Sequence, residues 1–196
     1  MKTSNTYKIV MMALMMCLIM VAILFVRIPI PFTQGYVHLG DAMVFLSVLI
    51  LGWKYGTIAA ALGGMLGDLV GGFVAWAPWT FGIKGIMALI TGLVLSAFLR
   101  SDFVSRKRLL TGEVTGMLLA GIFMVAAYYF AEGIMYGNWV SPVLGIPWNI
   151  GQFAVGILLA VLISEALART PAKVYFAYRC SDTPAASGDA LEKSGK

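Results

Sequence analysis

Residues 37–74 read VHLGDAMVFLSVLILGWKYGTIAAALGGMLGDLVGGFV, and this stretch decides the fold. A bilayer-crossing helix needs about 20 mostly apolar residues. Val37 to Trp53 and Tyr55 to Val74 both come close to that length, with only a tight turn at Trp53-Lys54 between them. Two adjacent spans are expected, although a single kinked segment also accommodates these residues. Each run carries a carboxylate, Asp41 at the start of the first and Asp68 inside the second.

Four more runs of the same kind flank this pair: Ile9 to Val26, Trp79 to Leu99, Val114 to Tyr136 and Pro147 to Leu167. Composition agrees with that reading. Of 196 residues, 60% are apolar and 12% charged, with a mean hydropathy of +0.89, whereas a soluble domain carries roughly 25% charged residues. The expected fold class is therefore all-α, an integral membrane bundle of six transmembrane helices over residues 1–170. Residues 171–196, with their Ser, Ala, Gly and Lys ending, are expected to form a disordered tail. Lys2 and Lys8 before the first run resemble the start of a signal peptide, but no small-x-small cleavage site follows. Leu14-Met15-Met16-Cys17 is a poor lipoprotein box, so the run is kept as a span. Cys17 and Cys180 are too few and too far apart for a disulfide framework or a zinc site.

Lysines and arginines are retained on the cytoplasmic side of a membrane. With the N-terminus inside, Lys2, Lys8, Lys54, Arg100, Arg106, Lys107, Arg108, Arg169, Lys173, Arg179, Lys193 and Lys196 all fall inside, 12 of the 14 basic residues. Arg27 falls outside and Lys84 lies in a span, while residues 137–148 carry no Lys or Arg. Both termini are thus expected in the cytoplasm. The net charge of +5 is explained by topology, without nucleic acid.

Placed on that topology, the polar groups of the spans share the outer half. Asp41 opens the second span, and Asp68 lies about 20 Å above Tyr55 at about 1.5 Å per residue. Lys84 is near the start of the fourth span, Glu132 near the end of the fifth. Asn149 and Gln152 open the sixth, spaced to share one helical face. Ionisable groups within spans are costly and are functional candidates. Each also has a plainer reading. Asp41 after Gly40 fits a helix-start acid; Asp68 fits a partner for Lys84 or a helix cap, Lys84 fits a snorkelling lysine, and Glu132 an interfacial carboxylate. Phe32, Tyr36, Trp76, Trp79, Tyr128, Tyr136, Trp139 and Trp148 fall near the same interface. An aromatic belt accounts for some of them, and a pocket for a flat ring would use others. The loop from Arg27 to His38, stiffened by two prolines and carrying Gln34 and Tyr36, fits a lid. His38 is the only histidine, which excludes a multi-histidine metal site, and reads as an ordinary loop residue.

Small residues let helices approach closely. Ala13 and Cys17 form a small-xxx-small pair among Met11, Met12, Met15, Met16 and Met20, a surface suited to packing or to a partner protein. No G-x-x-x-x-G-K-[ST] phosphate loop, Gly-x-Ser-x-Gly elbow or HExxH motif is present. No inverted repeat of the secondary-transporter kind is evident. A pocket without an engine of its own implies a capture subunit rather than an enzyme.

From Arg27 to Gly92 the chain resembles the substrate-binding S components of energy-coupling factor (ECF) transporters, in the riboflavin-transporter-like branch that includes hydroxymethylpyrimidine and pyridoxine proteins. The matching motifs are HLGD at His38 to Asp41, Gly67-Asp68, Pro-x-x-x-x-x-Lys-Gly at Pro78 to Gly85, and Pro-Trp-Asn at Pro147 to Asn149. Including the spans, the likeness extends over about residues 8 to 170. It implies a six-helix S-component bundle in the bacterial cell membrane that binds a vitamin or precursor near the outer surface. It also implies docking onto a transmembrane T component bearing two ATPases, which use the ATP; no cofactor is implied in this chain. By position, the resemblance favours Gln34, Tyr36, Lys84, Asn149 and Gln152 for substrate, with Asp68 and Glu132 ranking lower; a small pyridine or pyrimidine alcohol would stack on Trp79, Trp148 or Tyr128. The resemblance places partner docking at Ala13 and Cys17, where cysteine stands in the second small position. Pyridoxine or hydroxymethylpyrimidine is the favoured substrate, with riboflavin and pantothenate as alternatives. The rival classes are a stand-alone secondary transporter and a membrane enzyme.

Overall fold

The structure, a computed structural model, describes residues 5–30, 36–99 and 105–178. Five helices in it are long and apolar enough to cross a membrane. They are α1 (Asn5–Phe25), α2 (Gly40–Val70), α3 (Ala77–Phe98), α4 (Arg106–Tyr136) and α5 (Ile146–Ala168), the last preceded by a 3-10 turn at Ser141–Gly145. Their outward faces carry many large apolar side chains, among them Phe25, Val70, Ile122, Ile134 and Leu158, while Asp41, Asp68, Lys84 and Glu132 are buried within. Apolar outside and charged inside is the arrangement that lipid solvates. The chain is a multi-pass membrane protein.

α2 is not one rod. Gly52 breaks it with φ 75 and ψ 172, a conformation that a residue with a Cβ resists. On either side of the break the helix folds back on itself. Ser47 Oγ donates to the carbonyl oxygens of Val44 and Gly56, at 2.7 and 3.2 Å. Residues nine apart on a straight helix would be separated by about 13 Å. Gly56 permits the close approach, since a Cβ there would lie 2.7 Å from the Val48 Cα. Gly56→Val is accordingly expected to destabilise the protein by about 1–3 kcal/mol through overpacking. Thermal unfolding in detergent would read this against Gly151→Ala, where an added Cβ meets nothing within 4 Å.

α4 begins at Arg106, eight residues before the apolar run starts. Ser105 explains the early start: its side chain accepts from the Arg108 N–H, capping the helix. Arg106 then pairs with Glu165 of α5. Pro78 and Pro147 sit in the first turns of α3 and α5, where a missing N–H costs nothing.

The fold is all-α as expected, with one small addition, the two-stranded antiparallel ribbon of β1 (Arg27–Pro29) and β2 (Tyr36–His38), in which Ile28 pairs with Val37. One expectation needs correction. The tail is not loose from Pro171 onward. Pro171–Tyr175 forms a 3-10 turn, Phe176 is buried, and the Ala177 N–H donates to the Leu49 carbonyl at 3.0 Å. Tyr175 stacks on Tyr7 with centroids 6.2 Å apart, and the Tyr178 hydroxyl lies 3.1 Å from Ser96 Oγ. Residues 171–178 thus strap α1, the break in α2, and α3 at the end of the bundle far from the ribbon.

Candidate functional site

Four helices and the ribbon converge on one buried polar assembly. Its floor is an ion pair. Lys84 Nζ donates to Asp41 Oδ1 at 2.5 Å, and neither side chain is exposed at all. Gln152 Nε2 donates to Asp41 Oδ2 at 2.9 Å, and Lys84 also reaches Met124 Sδ at 3.4 Å. The helices press together around this pair because glycines face it. A Cβ on Gly156 of α5 would come 2.8 Å from the Asp41 Cβ, and one on Gly64 would meet Lys84 Cγ at 3.1 Å. The α-amide position of Asp41 in the first turn of α2 is as expected, but its carboxylate does not cap the helix. Leu39 is the N-cap residue, with no side-chain cap bond; the Asp41 carboxylate is committed to α3 and α5.

Above the floor lies a cavity with about 380 Å³ of empty space, open solvent at its mouth included. Ile30, Tyr36 and His38 line it from the ribbon side, Asp68 from α2, Trp76 and Thr80 from α3 and its cap, Tyr128 and Glu132 from α4, and Asn149 and Gln152 from α5. Helical spacing produces these walls: Trp76, Thr80 and Lys84 recur every fourth residue, as do Met124, Tyr128 and Glu132. Trp76 packs against Tyr128 with centroids 6.0 Å apart.

The ribbon is latched onto the helices by site residues. Tyr36 Oη donates to Asp68 Oδ1 at 2.5 Å, and the His38 N–H donates to Gln152 Oε1 at 2.9 Å. Burial, then donation to Asp68, hold the Tyr36 phenol protonated well above its ordinary range. Arg27 anchors the ribbon's other strand. It donates to the carbonyls of Ile23, Gly67 and Gly71 and lies 5.0 Å from the Tyr36 ring and 5.3 Å from that of Phe73.

His38 Nδ1 accepts from the Gly40 N–H at 2.9 Å, which leaves Nε2 to carry the proton of the neutral ring. Burial first, and the Lys84 charge second, push its pKa down from 6.5 to about 3. Above pH 6.5 neither folded nor unfolded chain protonates it, and stability is flat. As pH falls from 6.5 toward 3, the unfolded chain takes up a proton that the folded site refuses, so stability falls. His38→Asn retains an acceptor for Gly40 and removes this titration. The melting temperature of the native protein relative to that variant is expected to drop between pH 7.5 and 4.5.

Of the residues singled out from sequence, Tyr36, Asp68, Tyr128, Glu132, Asn149 and Gln152 line the cavity. Lys84 lies beneath it, occupied by Asp41. Trp79 is half-buried and is not among the lining residues; one residue of helix turns its side chain by about 100° from Thr80. Gln34 falls outside the described residues. Sequence reading missed His38, Trp76 and Thr80 as wall residues and underrated Asp41. The spacing from Trp76 through Thr80 to Lys84 carried the signal for the α3 wall. Ala13 and Cys17 are both exposed on α1. Among the described residues no cluster of metal-ligating groups exists.

The family described as ECF-type riboflavin transporter, S component, matches residues 3–169. The chain is 35% identical over 117 residues to an uncharacterised protein of Pyrococcus woesei, covering 60% of this chain and 72% of that one. It is 28% identical over 171 residues to the thiamine precursor transporter HmpT of Lactococcus lactis subsp. cremoris, covering 87% and 93% of the two chains. Among solved structures, the S component of a bacterial ECF transporter matches with a TM-score of 0.65 at 21% identity, over 84% of this chain and 97% of that one. At that identity the likeness is one of fold.

Proposed function

The chain belongs to the family of ECF-type riboflavin transporter S components, and from that membership we propose that it is the substrate-binding subunit of an ECF importer for a small vitamin precursor. The observation that carries this reading is the cavity at the ribbon end, walled by ten residues from the ribbon and four helices. In this reading the folded-back halves of α2 cross the membrane separately. The bundle then has six crossings, both termini lie in the cytoplasm, and the ribbon end faces outward in a bacterial cytoplasmic membrane. The cavity captures substrate; a T component and two ATPase subunits supply the movement and consume the ATP. The chain itself holds no cofactor and catalyses no reaction.

A thiamine precursor of the hydroxymethylpyrimidine type is the favoured substrate. The support is the HmpT relative, which spans most of both chains, and the mix of aromatic and hydrogen-bonding side chains that line the cavity. Tyr36, Tyr128, Asn149, Asp68 and Glu132 contact the ligand and Gln152 orients the wall; Gln34, outside the described residues, is kept as a contact on the family resemblance alone. Pantothenate is disfavoured because Lys84, the cation nearest the cavity, is already neutralised by Asp41. Ala13 and Cys17 are the proposed docking positions for the T component.

Co-expression with T and ATPase subunits in a precursor-requiring host tests the whole reading. Uptake that needs all the subunits supports it; uptake by this chain alone in liposomes sinks it in favour of a secondary transporter. Ala13→Trp is expected to abolish co-purification with the T component while leaving precursor affinity within about twofold. An intact complex after that change removes the docking proposal.

A further inference from the structure

The cavity is short of acceptors' partners rather than short of acceptors. Asp68 Oδ2 and Glu132 Oε2 have no hydrogen-bond partner among the described residues, yet Asp68 and Glu132 are 3% and 2% exposed and both line the cavity. The nearby cations, and two of the nearby neutral donors, are committed elsewhere. Lys84 is bound to Asp41. Arg27 is spent on three backbone carbonyls. The Tyr36 proton goes to the other oxygen of Asp68. Gln152 is used at both ends, by the His38 N–H and by Asp41. What remains to greet a ligand is two acidic side chains, the hydroxyls of Thr80 and Tyr128, the Trp76 indole N–H, the His38 Nε2–H and the amide of Asn149, and of these hydroxyls Thr80 already bonds Asp68.

A buried carboxylate oxygen without a donor carries the full cost of its lost water. Hydrogen bonds to charged groups are correspondingly strong when a donor arrives. An anionic ligand meets the reverse situation, entering a desolvated space beside two acids with both neighbouring cations already engaged.

We infer that Asp68 and Glu132 are the specificity determinants of this cavity, selecting small uncharged or protonated heterocycles that bring two hydrogen-bond-donating groups, and rejecting phosphorylated or carboxylated ones. The inference rests on the substrate-capture reading above and deepens it. An aminopyrimidine alcohol has the required pattern. Its exocyclic amine donates to one acid, and its hydroxymethyl group donates to the other. The adjacent ring nitrogen accepts from a protonated carboxyl or, once protonated itself, donates to a carboxylate. The ring lies among Trp76, Tyr128 and Tyr36, with His38 Nε2–H and Asn149 left for its remaining acceptors. The same logic makes the substrate the free alcohol rather than its phosphate ester.

Calorimetric titration of the purified full chain in detergent tests this. The probes are 4-amino-5-hydroxymethyl-2-methylpyrimidine, its phosphate ester, riboflavin and pantothenate. The aminopyrimidine is expected to bind, and its phosphate ester at least about 100-fold more weakly. Asp68→Asn and Glu132→Gln are each expected to weaken the aminopyrimidine by about 10- to 100-fold. Glu113→Gln, a buried acid on α4 that does not line the cavity, should leave affinity unchanged. Gel filtration of each variant separates misfolding from lost recognition. The inference is overturned if the ester or pantothenate binds as tightly as the aminopyrimidine, or if both folded amide variants keep native affinity. Binding of riboflavin alone overturns it while sparing the capture reading. Binding of none of the probes removes both.

Discussion

Asp41→Asn is expected to abolish accumulation of folded protein, and adding Lys84→Met to restore most of it. Both partners are fully buried and 2.5 Å apart. Removing one charge leaves the other uncompensated in a low-dielectric interior, a loss of about 3–5 kcal/mol. That is a large share of the roughly 5–15 kcal/mol that holds a typical protein folded. Removing both charges is a different change. Asparagine keeps an oxygen for Gln152 Nε2, and methionine fills the space of the lysine stem against Gly64 and Met124 with no charge to satisfy. Replacing a whole buried pair by apolar groups of similar volume is often neutral. The monodisperse fraction on gel filtration and the melting temperature in detergent read the outcome. A single Asp41→Asn variant as stable as the native chain would refute the pair as the floor of the site. The double variant also decides what Lys84 does. As floor, it is expendable once its partner goes, and precursor affinity should stay within about tenfold. As a ligand contact, its loss would leave a folded protein that no longer binds.

Gln152→Leu is expected to give the second-largest effect, and to divide it between stability and binding. The amide is engaged at both ends: its oxygen accepts from the His38 N–H of the ribbon, and its nitrogen donates to Asp41 and toward Met124 Sδ. Leucine preserves the volume but orphans both partners, at about 1–3 kcal/mol each. The His38 end matters more for function. Without that bond the ribbon keeps its latch at Tyr36 but loses the one beside His38, so two wall residues are no longer held. Precursor affinity should fall by about 100-fold while the protein still runs as a folded species. Native affinity in Gln152→Leu would show that the ribbon needs no second latch.

Much of this architecture is legible in the sequence because lipid imposes a simple rule. Long apolar runs become helices, and the helices begin and end within a few residues of those runs except at α4, where Ser105 and a basic turn prolong the helix beyond the apolar stretch. Polar residues assigned to one half of the bundle do meet at one end, and the i, i+4 rows through Tyr128 and Glu132 and the i, i+3 pair of Asn149 and Gln152 fall on the cavity. What stays hidden is pairing across the chain. Asp41 has the local pattern of a helix-start acid, and only the fold brings it to a lysine on another helix. For the same reason the sequence offers Asp68, not Asp41, as the partner of Lys84. His38 looked ordinary because its burial depends on the ribbon, and three-residue strands leave almost no periodic signal. The strap was misread by averaging: residues 171–196 are polar as a block, but Val174, Tyr175, Phe176 and Tyr178 at its start are apolar or aromatic and find partners.

The ion pair also imposes an order on biogenesis. Lys84 follows Asp41 by 43 residues and Gln152 follows it by 111. At about 5–20 residues per second of synthesis, Asp41 waits some seconds for its counter-charge and several more for its amide. The first half of α2 therefore leaves the ribosome with a carboxylate that has nothing in its own hairpin to neutralise it. A nascent chain arrested after α2 presents Asp41 without its counter-charge to the insertion machinery, and one arrested after α3 presents the finished pair. The floor of the site therefore waits on the third helix, and α1 to α3 form the shortest nascent piece of this protein in which that pair is closed.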